Sequence, residues 1–83
     1  MKELIYPTQG TCSKAIRIVL NDDNIIESVQ FAGGCAGNTL GVAALVKGMT
    51  AAEAISRLKG ITCGPKPTSC PDQLATALMQ MTK

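Results

Sequence analysis

The 83-residue chain has no histidine, no tryptophan, and only two aromatics, Tyr6 and Phe31. Without histidine there is no Cys–His nucleophilic pair and no imidazole metal ligand, so acid–base work would fall to Asp, Glu or Lys. No two carboxylates are placed by spacing as a working pair. Charge is also sparse. Eight Lys and Arg against six Asp and Glu leave a net charge of +2, and the basic residues form no run. With neither a basic stripe nor stacking aromatics, nucleic acid is not an expected partner. No apolar stretch is long enough to span a bilayer. The start, MKELIYPTQG, carries no apolar signal segment, so the expected location is cytoplasmic, where thiols stay reduced.

What is present is four cysteines, Cys12, Cys35, Cys63 and Cys70, each beside Gly, Pro or Ser. A single domain of this length supplies only a modest core, so a metal, a disulfide or self-association is a common supplement. The core must be aliphatic. In a reduced compartment, four cysteines favour a metal or thiol site over a disulfide framework. Small buried hydrophobes and structural disulfides are the competing readings.

Residues 2–6 read as a short strand ended by Pro7. Residues 15–20 alternate, with Ile16, Ile18 and Leu20 on one face and Arg17 on the other. Asn21-Asp22-Asp23-Asn24 is a turn. Residues 25–31 resume the alternation, with Ile25, Val29 and Phe31 inward and Glu27 breaking the face near an edge. The pair reads as an antiparallel hairpin.

The period then changes. Asn38 is a candidate N-cap for a helix through 46, with Leu40, Ala43, Ala44 and Lys47 on neighbouring turns and Gly48 as its stop. Thr50-Ala51-Ala52-Glu53 is a capping box opening a second helix, with Ala54, Ile55 and Leu58 inward and Gly60 at its end. The Gly/Pro-rich stretch 61–69 is an ordered loop or lid. Cys70 is the expected N-cap and Pro71 the first residue of a third helix, with Leu74, Ala77, Leu78 and Met81 as its buried stripe. Strands first and helices afterwards give an α+β class: a small antiparallel sheet of two to three strands, then about three helices on one face, in a single domain over 1–83.

Helix starts favour thiolates through unpaired N–H groups and the helix dipole, and Cys35 and Cys70 have that placement. No C-x-x-C occurs, so a shared site has to be assembled from loops at one end of the fold. Four cysteines would close a tetrahedral, structural zinc site, whereas three with Asp72 or water would leave it open. The glycines around Cys35 supply loop angles and lack the Gly-Lys-Ser/Thr of a phosphate loop.

Thr68-Ser69-Cys70-Pro71-Asp72, with Gly33-Gly34-Cys35-Ala36-Gly37-Asn38 and Cys63-Gly64, resembles the TSCPD domain family across essentially the whole chain. That domain occurs alone or at the C-terminal end of some ribonucleotide reductases. The resemblance implies a metal-binding cysteine cluster attached to deoxyribonucleotide synthesis. The chain is too short for a reductase barrel, so an accessory module is expected, not a reductase acting alone.

The chain also resembles iron–sulfur scaffold proteins of the NifU/IscU kind. Cys12 precedes the second strand, as in the scaffolds. Phe31-Ala32-Gly33-Gly34-Cys35, then Leu45-Val46-Lys47-Gly48 and Glu53-Ala54, parallels the scaffold's central segment, and Cys70 stands for the third scaffold cysteine. Lys14 replaces the scaffold's acidic residue, and Cys63 is extra. Three functional expectations follow. The first is a module with Cys12, Cys35, Cys63 and Cys70 on one Zn²⁺, docking on a ribonucleotide reductase subunit. The second is an iron–sulfur scaffold or persulfide acceptor working with a sulfur-transfer protein. The third is a thiol reductant using a Cys63–Cys70 disulfide. Oligomeric state stays open, a weak homodimer included.

Overall fold

A computed structural model gives the fold. It describes residues 1–8, 13–33, 36–62 and 68–82, at 13 and 36–38 the backbone alone. Three strands, β1 (Lys2–Pro7), β2 (Ser13–Leu20) and β3 (Ile26–Gly33), precede three helices, α1 (Ala36–Val46), α2 (Ala51–Leu58) and α3 (Cys70–Met81). The strands form one antiparallel sheet in the order β1-β2-β3. This is the expected α+β arrangement.

The alternation in β2 sends Ile16, Ile18 and Leu20 fully inward, while Arg17 lies on the outer face and pairs with Glu3 of β1. The β2–β3 turn is closed by Asn21. Its side-chain oxygen accepts from the backbone N–H of Asp23 at 2.8 Å and of Ile25 at 3.0 Å, and Asn24 takes a left-handed φ of 58°. Asn and Asp tolerate that conformation better than other non-glycine residues.

Glu27 is handled differently from the expected parity break. Val19 pairs with Ser28, and Leu20 pairs with Ile26, so a bulge skips Glu27. The bulge turns Glu27 to solvent and brings Ile26, not Ile25, into the core beside Val29. An extra residue shifts the two-residue period by one, which alternation alone does not reveal.

The helices cover the inner face. Leu74, Ala77 and Leu78 of α3, Ala51 and Ala54 of α2, and Val46 of α1 are buried against Ile16, Ile18, Leu20, Ile26 and Val29. The capping box forms as read: Thr50 Oγ1 accepts from the Glu53 N–H at 3.2 Å. α1 departs from expectation. It starts at Ala36, so Asn38 lies within the helix and is not its cap. Thr39 and Val46 are buried, whereas Leu40, Ala44 and Lys47 are exposed. With aliphatic residues on both sides, α1 offers no clear period by which to choose its inner face.

Core substitution should separate these positions. Leu78, fully buried, is expected to cost about 2–5 kcal/mol on Leu78→Ala. Leu45→Ala, in dilute protein, should stay within about 0.5 kcal/mol of the parent. Urea unfolding of both variants checks this.

Candidate functional site

The route of the chain decides which segments share an end of the fold. Ser13, the first residue of β2, pairs with Gly33, the last of β3, so the flank of Cys12 and one flank of Cys35 are neighbours. α1 starts beside them at Ala36 and runs to the opposite end. There the Ile26 N–H donates to the Met49 carbonyl and the Gly48 N–H to the Ile26 carbonyl, both at 2.9 Å. α2 begins at that far end, where Thr50 bridges Ile25, and heads back. α3 then returns: Lys2 Nζ, at the start of β1, reaches the Met81 carbonyl at 3.5 Å. The starts of α1 and α3, the end of α2, the start of β2 and the end of β3 therefore gather toward one end of the sheet.

The segment Thr68-Ser69-Cys70-Pro71-Asp72 is a clasp at that end. Ser69 is the N-cap of α3: its Oγ accepts from the Asp72 N–H at 3.2 Å and donates to the Ile61 carbonyl at 2.6 Å. Cys70 is thus the first helical residue and not the cap, and Pro71 is the second. A serine oxygen is a strong cap acceptor and a thiol is not. Asp72 reaches back across the loop. One carboxylate oxygen accepts from the Gly60 N–H at 2.7 Å, and the other accepts from the Thr68 hydroxyl. Gln73 Nε2 donates to Thr68 Oγ1 at 3.1 Å.

Gly60 has φ of 88°. A side chain is strained at that angle, so glycine is the residue that ends α2 while offering its N–H to Asp72. The Thr68 hydroxyl, then the Gly60 N–H, then the nearby Lys59 ammonium hold the Asp72 carboxyl below its ordinary value, outweighing burial, which acts upward.

Cys70 is half-buried at the start of α3. Cys12, Cys35 and Cys63 lie outside the described residues. Their described neighbours are Ser13, then Gly33 and Ala36, then Thr62 and Thr68. Among the described residues, no three Cys, Asp or Glu side chains come together as a metal site. Asp72 is a poor candidate for an open ligand, since both of its oxygens are engaged in the clasp. The holding roles of Thr68, Ser69, Gly60 and Asp72 escaped the reading of the chain. Pro71 marked the helix start, but the bonds to Gly60 and Ile61 join segments that are separate in sequence.

The chain's residues 4–82 match the family model described as the TSCPD domain. No curated protein and no solved structure matches the chain. Among the described residues, no helix is long and apolar enough to cross a membrane.

The clasp makes stability acid-sensitive with a definite sign. Because the folded-state pKa of Asp72 is lowered, its contribution is present above the unfolded value of about 3.9 and is lost as pH falls through the folded pKa. Asp72→Asn is expected to lower stability at neutral pH and to flatten the pH dependence below about pH 4. Ser69→Ala should cost about 1 kcal/mol or more with that acid limb retained. Denaturant titrations at several pH values measure both.

Proposed function

The chain belongs to the TSCPD domain family, and from that premise we propose that it is a small cysteine-cluster module holding one Zn²⁺ and serving a ribonucleotide reductase as an accessory. The observation that carries the reading is the division of labour within the Thr-Ser-Cys-Pro-Asp run. Thr68 and Asp72 bond to each other, Ser69 caps the helix, and Pro71 suits its first turn. Those four residues have structural employment. Cys70 is the member they hold in position, at the end of the sheet toward which the flanks of the other three cysteines converge.

The donor set fits zinc. Zn²⁺ is bound by thiolate sulfur, and four cysteines close a tetrahedral site with no exchangeable position. Cys12, Cys35, Cys63 and Cys70 would supply those sulfurs. The bound metal would add folding energy to a domain of modest core. A helix start contributes oriented N–H groups that favour an anionic ligand. In this reading the module's part is to bind the metal and be recognised by the reductase. The likeness of cysteine order to NifU/IscU scaffolds motivates the competing reading, a labile iron–sulfur cluster or a persulfide on the same thiols.

Elemental analysis and a visible spectrum of anaerobically purified protein test the proposal. About one zinc per chain, a colourless solution, and weaker zinc retention on Cys70→Ser or on serine substitution of Cys63 are expected. Chelation should lower the unfolding midpoint. Intact thiols with no metal would contradict the proposal. Visible iron–sulfur absorption would transfer the site to the scaffold reading.

A further inference from the structure

α1 carries no charged residue from Ala36 to Val46, and its Leu40, Gly41, Ala44 and Leu45 are exposed. Leu40 is 70% exposed and Leu45 73%. At about 100° per residue, Gly41 and Ala44 fall in the middle of the outward face, with Leu40 and Leu45 flanking them. Both small residues are exposed. Grooves run along the two sides. One, of about 620 Å³, is lined by Phe31, Gly33, Thr39, Leu40 and Ala43. The other, of about 200 Å³, is lined by Val42, Leu45, Met49 and Leu58.

Gly41 is unexplained within one chain. A glycine inside a helix costs about 0.5–1 kcal/mol relative to alanine. Here a Cβ would meet nothing within 4 Å among the described residues, so none of them requires its absence. Close approach of another helix would.

We propose that the outward face of α1 is a two-fold contact between two copies of this chain. Three properties point to a second copy. First, a two-fold sets a surface against itself, so a charged face opposes its own charge; Ala36–Val46 has none to oppose, and exposed Lys47 on the same side lies past the end of the helix. The nearby Arg57 is already paired with Glu53 at 3.0 Å. Second, the face carries both halves of an interlocking contact: leucines that project, and a Gly41–Ala44 strip with flanking grooves that receive them. Small residues at the crossing let helix axes approach to about 8 Å.

The third property is size. An 11-residue helix is about 16 Å long. A contact on one such face is smaller than the roughly 1,200–2,000 Å² of a standard specific interface. The dimer is therefore weak and concentration-dependent. The contact uses none of the cysteines, so it stands or falls independently of the metal proposal.

Sedimentation velocity in reductant, from about 1 μM to about 1 mM, reads the association. The mass should climb from the 8.6 kDa monomer toward twice that value. Leu40→Glu and Leu45→Glu should each weaken association about tenfold or more. Gly41→Ala should move two readouts in opposite directions: a higher unfolding midpoint in dilute protein, from helix propensity, and weaker dimerisation, from the added methyl. A chain monomeric up to about 1 mM overturns the proposal, as does a dimer indifferent to Leu40→Glu and Gly41→Ala. If a glutamate variant fails to fold by circular dichroism, the Gly41→Ala pair of readouts decides.

Discussion

The structure turns on one carboxylate. Asp72 sits in the first turn of α3 but bonds to Gly60 at the end of α2 and to Thr68 ahead of the helix. Hydrogen bonds to a charged acceptor contribute about 1.5–3 kcal/mol each, more than neutral ones. In a domain whose core, among the described residues, is twelve aliphatic and alanine side chains, such bonds are a large part of net stability. They also fix direction. With its first turn tied to the end of α2, α3 must run back along the sheet, which brings Leu74 and Leu78 over the β2 isoleucines and sets Cys70 at the opposite end from Met81.

That geometry gives the chain two unlike ends. At one, backbone bonds among Ile26, Gly48 and Met49 close the joint between β3, α1 and α2. The joint is made of main-chain groups and needs no special chemistry. At the other, two helices start, two strands begin or end, and the residues flanking all four cysteine positions approach. Helix starts present unpaired N–H groups, so negative charge is better accommodated there than at helix ends. The bonds of Thr68, Ser69 and Asp72 fix the place of Cys70 at this end.

Much of the frame was legible from the chain. The Ile16, Ile18 and Leu20 alternation, the Asx turn, the Thr50–Glu53 capping box and the Leu74, Leu78 and Met81 stripe each carry a local signal with one physical meaning, and each formed where it was read. The misreadings share a cause, which is a local pattern with more than one solution. Glu27 was compatible with a strand edge or with a bulge, and the bulge formed. Pro71 suits either of the first two helical positions, so the cap fell to Ser69 and not to Cys70. α1 carries aliphatic residues on both sides, so grouping Leu40, Ala43, Ala44 and Lys47 did not mark its inner face, and Leu40 faces solvent. Of the candidate site, Cys70 was legible in position. The bonds of Asp72 to Gly60 and of Ser69 to Ile61 were not, because they close a loop and depend on where α2 ends in space.

The clasp is proposed to hold Cys70 where it would share a metal with the other three cysteines. X-ray absorption of the zinc-loaded protein counts the atoms around the metal. Four sulfur neighbours at about 2.3 Å are expected, falling to three in the zinc-loaded Cys70→Ser protein. A shell of oxygen or nitrogen, or a sulfur count that Cys70→Ser leaves unchanged, would contradict that proposal.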